Sequence, residues 1–128
     1  MSLLDDISDQ LVAAGVGTAG TDIFMGMMPK GPNDLIGLFV TGGVAPVHTM
    51  GAGPGGAQAE RPHVQVLARS SRSSSGLFLA RKAMQALDKF SGTINGIEYR
   101  SIFALQDPFY VYADESGRYV FSVNFEIV

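Results

Sequence analysis

Tyr119-Val120-Phe121-Ser122-Val123-Asn124-Phe125-Glu126-Ile127 alternates more regularly than any other stretch of this chain. Tyr119, Phe121, Val123, Phe125 and Ile127 fall on one side of an extended strand; Ser122, Asn124 and Glu126, with Arg118 before them, fall on the other. A period of two marks a strand with one face on a core and one toward solvent. That pattern belongs to antiparallel sheets, whose second face can meet water. The chain therefore ends in a sheet, and the question is what the sheet packs against.

Reading back from there, Asp114 to Gly117 is a turn and Phe109 to Ala113 a short strand. Asn95-Gly96, set between Thr93-Ile94 and Ile97-Glu98, is a type I′ hairpin signal. The strand after it, Ile97 to Leu105, is predicted to put Ile97, Tyr99, Phe103 and Leu105 on one face. Gly76 to Phe90 has helical spacing, with Leu77, Ala80, Met84 and Leu87 on one side and a serine from Ser70–Ser75 as N-cap. Leu3, Leu4, Ile7, Leu11 and Val12 give a first helix over Ser2 to Ala14. Asp5 and Asp6 suit its N-terminal dipole, and Gly15 and Gly17 end it.

Three strands lie between the helices. Asp22 to Met28 is the first. Leu35 to Thr41 is the second, apolar on both faces and so central or doubly covered. His63 to Arg69 is the third, with Val64, Val66 and Ala68 one way and His63, Gln65 and Arg69 the other. The order α-β-β-β-α-β-β-β predicts an α+β fold, two helices on a mainly antiparallel sheet. Residues 1–128 read as one domain with a flexible inserted loop at 42–60. A loop of that length in a compact domain is usually functional or disordered.

Composition narrows the function. Hydrophobic residues make up 46% and charged residues 16%, a low charged share that suits a subunit hiding surface in an assembly. The net charge of −3 gives no field that would recruit nucleic acid. Cysteine is absent, which removes disulfides, thiolate metal sites and thiol nucleophiles. No apolar run approaches the ~18 residues of a membrane span, and the start lacks a signal peptide's basic residues. A soluble, unexported chain is expected.

No convincing catalytic constellation emerges. Gly51-Ala52-Gly53-Pro54-Gly55-Gly56 matches G-x-G-x-x-G in letters, but Pro54 sits inside it and Arg61-Pro62 opens a strand where a helix should begin. No lysine follows for a phosphate loop. His48 and His63 lack further metal ligands at a suitable spacing. The serines are outside any nucleophile elbow. Asp5-Asp6 serves a helix start and Asp114-Glu115 a turn, so neither is a catalytic carboxylate pair. Neither a cofactor nor a metal is expected.

Several ordered pieces then point one way. Gly15-Val16-Gly17 with Thr21-Asp22-Ile23-Phe24, Thr41-Gly42-Gly43 with Pro46-Val47-His48-Thr49, and Glu60-Arg61-Pro62 with Val64-Gln65-Val66 and Arg69 lie in the first half. Ile94-Asn95-Gly96 with Tyr99, Gln106-Asp107-Pro108, Asp114-Glu115, Gly117-Arg118-Tyr119 and Asn124-Phe125 complete the series. Together they resemble the phage tail terminator proteins, also labelled minor capsid or neck-tail connector proteins. Val40 stands where that family often has an acidic residue, and the run Ser70–Ser75 is unusual for it.

The resemblance implies a structural virion protein, not an enzyme. It implies a homo-oligomer, a hexameric ring at the head-proximal end of the tail tube. Its partners would be itself, the tail tube protein and a neck or head-completion protein. DNA would only pass through the lumen, and no membrane is involved. The site would be the tail-neck junction of the virion, assembled in the bacterial host cytoplasm. Oligomer or partner contacts are expected at Thr41, Gly42, Gly43, His48, Arg61, Gln65 and Arg69. The alternative is a small α+β ligand-binding or enzymatic domain whose glycine-rich loop acts as a lid.

Overall fold

The computed structural model describes residues 3–31, 33–48 and 58–127, and of residues 42–48 and 58–62 the backbone alone. The elements run α1 (Leu3–Ala13), β1 (Ile23–Met25), β2 (Leu35–His48), β3 (Gln58–Ser70), α2 (Ser73–Leu87), β4 (Phe90–Ile94), β5 (Ile97–Ala104), β6 (Phe109–Ala113) and β7 (Tyr119–Ile127). The strands form one seven-stranded sheet in the order β1-β2-β3-β7-β5-β4, with β6 also beside β7. Every pair is antiparallel except β1 with β2. The fold is α+β, as the sequence predicts.

The alternating strand β7 is the hub. One edge pairs with β3 from Ser70↔Tyr119 to His63↔Glu126. The other edge takes β6 at its first half and β5 at its last three residues. Its odd residues Phe121, Val123, Phe125 and Ile127 are buried in the core, as expected, but Tyr119 is exposed. On the even side, Ser122 was expected to face water and is fully buried.

Both helices contribute to a single core with the sheet. Ile7 and Leu11 of α1 join Ile36, Leu38, Val64, Val66, Phe121, Val123 and Phe125 there. Burying each such side chain stabilises the fold by about 1.5–3 kcal/mol. Helix α2 lies close to the sheet because its inner face is small: Gly76, Ala80 and Ala83 are buried. A Cβ on Gly76 would stand 2.9 Å from Phe121 Cδ1. Helix α1 closes with the bonds Val16 N–H to Leu11 C=O and Gly15 N–H to Val12 C=O, a Schellman pair around Gly15 at φ 77°.

Asp6 and Asp9 fasten α1 to the β4–β5 turn. The Tyr99 hydroxyl donates to Asp6 Oδ2 at 2.5 Å. Asn95 Nδ2 donates to Asp6 Oδ1 at 2.8 Å and to Asp9 Oδ2 at 2.7 Å. Asn95 and Gly96 take φ of 51° and 81°, the double positive φ of a type I′ turn. Burial, and then the Asp6 carboxylate, push the Tyr99 hydroxyl well above its ordinary pKa.

Several expectations are corrected. Helix α2 begins at Ser73 with Arg72 as N-cap and no side-chain cap; Ser70 Oγ instead donates to Asp34 Oδ1 at 2.7 Å. The helix ends at Leu87, and Phe90 opens β4, because Lys89 at φ 63° turns the chain. Strand β1 is shorter than Asp22–Met28 and runs parallel to β2. In β5 the buried face switches from Tyr99 to Ile102, leaving Ile97 and Phe103 exposed. The β4–β5 register shifts between Phe90 and Gly92, opposite that switch.

The largest correction concerns the segment expected to be a loop from 42 to 60. Strand β2 continues to His48 and β3 starts at Gln58. Gly42↔His63, Gly43↔Pro62, Val44↔Arg61, Val47↔Ala59 and His48↔Gln58 are registered across them, with irregularities at 40–42 and 44–47. The flanks of the expected loop are thus a β-ribbon. The glycine motif Gly51–Gly56 lies outside the described residues.

Candidate assembly surface

The ribbon is where the chain departs from a closed domain. Strand β3 pairs with β7 only from His63 onward, and β1 covers β2 only at Ile36 to Leu38. Residues 42–48 and 58–62 therefore pair only with each other among the described residues. A two-stranded ribbon alone is marginal in water, because it has neither a third strand nor a covered face. At its base Val40 is 53% exposed, so the apolar character of β2 outlasts its cover.

Six of the seven expected contact residues map to this ribbon or its root. Thr41, Gly42, Gly43 and His48 lie on β2, and Arg61 and Gln65 on β3. Gln65 is already engaged within the subunit, donating from Nε2 to Ser122 Oγ at 3.2 Å. Beside it, His63 Nε2 lies 3.4 Å from Glu126 Oε2. Arg69 is set apart at the far end of β3 and is 4% exposed. Eight residues of strand at about 3.3 Å each put it about 26 Å from Arg61.

Arg69 lines a cleft of about 390 Å³ with Met28, Lys30, Tyr112, Asp114, Glu115, Ser116 and Arg118. The cleft sits on the sheet face away from the helices. Register places Leu35, Arg69, Val120 and Tyr112 in one row across that face. Arg118 is held by Asp114 through Nε–Oδ2 at 2.8 Å and through its own N–H at 2.9 Å. It also donates to the Lys30 carbonyl. That backbone bond from Arg118 keeps the Asp114 carboxyl below its ordinary pKa. Arg69 Nε reaches the Asn33 carbonyl at 3.5 Å. Burial, then the neighbouring Arg118, lower the Arg69 pKa.

The two arginines thus brace Lys30 and Asn33 against the sheet. Among the described residues no group of three His, Asp or Glu could hold a metal, and no helix is long and apolar enough to cross a membrane. Sequence reading missed this cluster because Lys30, Arg69 and Arg118 are distant along the chain. The local signal that could have found part of it is the Asp114–Arg118 spacing, opposite charges at the two ends of a turn.

A second exposed feature is β6. All of Phe109, Tyr110, Val111, Tyr112 and Ala113 are exposed, with Phe103 and Leu105 of the preceding segment. Tyr110 leans on Phe121 at 5.9 Å and Tyr119 at 6.3 Å between ring centroids, which fixes the strand without covering it.

A profile of the family described as bacteriophage tail terminator protein matches residues 10–128. The chain belongs to that family. It is therefore a structural component of a phage tail rather than an enzyme, and it works in a virion with other tail or head proteins. No curated protein matches the chain. Among solved structures, a chain described as the virion of a native gene transfer agent particle superposes with a TM-score of 0.73 at 13% identity. The match covers 98% of this chain and 92% of that one. A second solved chain, described only by a sequence number, superposes at 0.54 with 15% identity, covering 97% and 89%. These likenesses show that the tail-terminator fold here is shared with both chains.

Proposed function

We propose that this tail terminator closes into a ring of copies, six by the family resemblance, on the head-proximal end of the tail tube. There it stops tube polymerisation and offers the surface on which the neck or a head-completion protein docks. The observation that carries this is the β2–β3 ribbon, which leaves the sheet with its outer edges unpaired among the described residues. A ribbon that reaches from one subunit to a different patch on the next makes a heterologous contact, and such contacts close by rotation into a ring.

Two further features support the reading. The net charge of −3 suits a lumen through which DNA slides without adhering. Membership of the bacteriophage tail terminator family supports a place at a tail end, where a cap is needed. The alternative of a ligand-binding domain under a lid is weakened by geometry. The cleft lies at the Arg69 end of β3, about 26 Å from the ribbon that would have to close over it. Native mass spectrometry tests the ring: a species near six times 13.5 kDa is expected, whereas a closed twofold dimer would contradict it.

A further inference from the structure

We infer that the open edge of β6 is the acceptor for the ribbon of a second copy, whose β2 residues 42–48 add to the sheet as an extra strand. The inference rests on the ring reading and names the two surfaces that would meet. Three edges of the sheet are candidates. Strand β1 has only three residues. Strand β4 buries Ile94 and half-buries Phe90 and Gly92, so it presents little apolar surface. Strand β6 has five residues, all exposed, with one register irregularity at Tyr110–Tyr112, and no strand on its outer side among the described residues.

An exposed, apolar edge strand is a template for pairing, and proteins normally blunt it with charge, proline or a cover. Phe109-Tyr110-Val111-Tyr112-Ala113 carries neither charge nor proline. Phe103 and Leu105 extend the apolar patch at 45% and 47% exposure. What would cover it must be extended, uncharged and have a free edge of its own. Gly42-Gly43-Val44-Ala45-Pro46-Val47-His48 fits: it is strand, it bears no carboxylate or ammonium, and β1 does not reach it, while Pro46 withholds a single N–H from the new ladder. Main-chain hydrogen bonds would supply affinity, and the alternating side chains of both strands specificity. Donor and acceptor are different patches of one chain, as a closing heterologous contact needs.

The absence of cysteine makes the test clean. Particles carrying Val44→Cys and Val111→Cys together are treated with a short bismaleimide and run on a denaturing gel. A ladder of covalent multimers ending at the ring size is expected, with each single variant giving no ladder. Ring-sized oligomers that yield no 44–111 cross-link would overturn the β6 assignment while leaving the ring. Dimers from Val111→Cys alone would overturn it too, since β6 would then meet β6. Twofold dimers by native mass spectrometry would instead sink the ring itself. A second variant guards against misfolding: Phe109→Lys with Val111→Lys should keep the monomer's melting cooperative and lower incorporation into particles at least about tenfold. Undiminished incorporation would contradict the inference.

Discussion

Tyr99 shows how a single buried hydroxyl ties distant parts of this chain together. It is 6% exposed, and it caps an Asp6 that is 1% exposed. Removing the hydroxyl leaves a buried carboxylate oxygen without that donor, which costs about 1–3 kcal/mol. Tyr99→Phe should lower the unfolding free energy by that amount, read as a lower denaturant midpoint at unchanged slope. The same residue sets an alkaline limit. Its folded pKa is raised above the ordinary 10.0, so the folded state holds its proton where the unfolded state releases it. Stability from this residue is complete below about pH 10 and falls as pH rises through the folded value. Wild type should lose stability above pH 10 more steeply than Tyr99→Phe, by chemical denaturation across pH 9–12. Gly76 gives the opposite kind of constraint. An added Cβ would press on the Phe121 ring at 2.9 Å, so Gly76→Ala should destabilise by about 1–3 kcal/mol, despite the better helix propensity of alanine.

Among the elements, legibility followed locality. The first helix, the Asn95-Gly96 turn, β6 and β7 were readable because spacing and turn chemistry lie within a few residues. The start of α2 was not, since Ser73 to Ser75 favour caps over helix interiors and only packing on β3 and β7 carries the helix past them. The face switch in β5 was hidden because an irregular register in its partner β4 decides it. The ribbon was the main miss: Gly42, Gly43 and Pro46 are poor strand residues, and the pairing of β2 with β3 overrides them. Of the expected contact residues, Thr41 to His48, Arg61 and Gln65 fell near one another. Arg69 did not, because a strand of 13 residues separates its ends by far more than alternation reveals. The ribbon carries its own prediction. Deleting Ala45–Ala59 should leave the thermal transition of the subunit cooperative, since the core in α1, α2, β3 and β7 is untouched, and should abolish ring closure or tail joining. Particles of normal number and shape from that deletion would contradict the role given to the ribbon.

For the whole molecule, a small α+β domain presents one surface built for itself and two left for others. The helix side is closed by Ile7, Leu11, Ala80, Ala83 and the odd residues of β7. The other face is pinned by Arg69, Arg118 and the segment around Lys30. What remains open among the described residues is a ribbon with unpaired outer edges and an apolar edge strand, the features a tail terminator would use to join copies into a ring. In the proposed ring the low charged fraction of 16% would reflect interfaces that cover what the monomer exposes. The most direct measurement of the central claim is electron microscopy of particles produced without this protein. The ring account predicts tails of uncontrolled, excessive length or tails lacking heads. Tails of normal length joined to filled heads would contradict it.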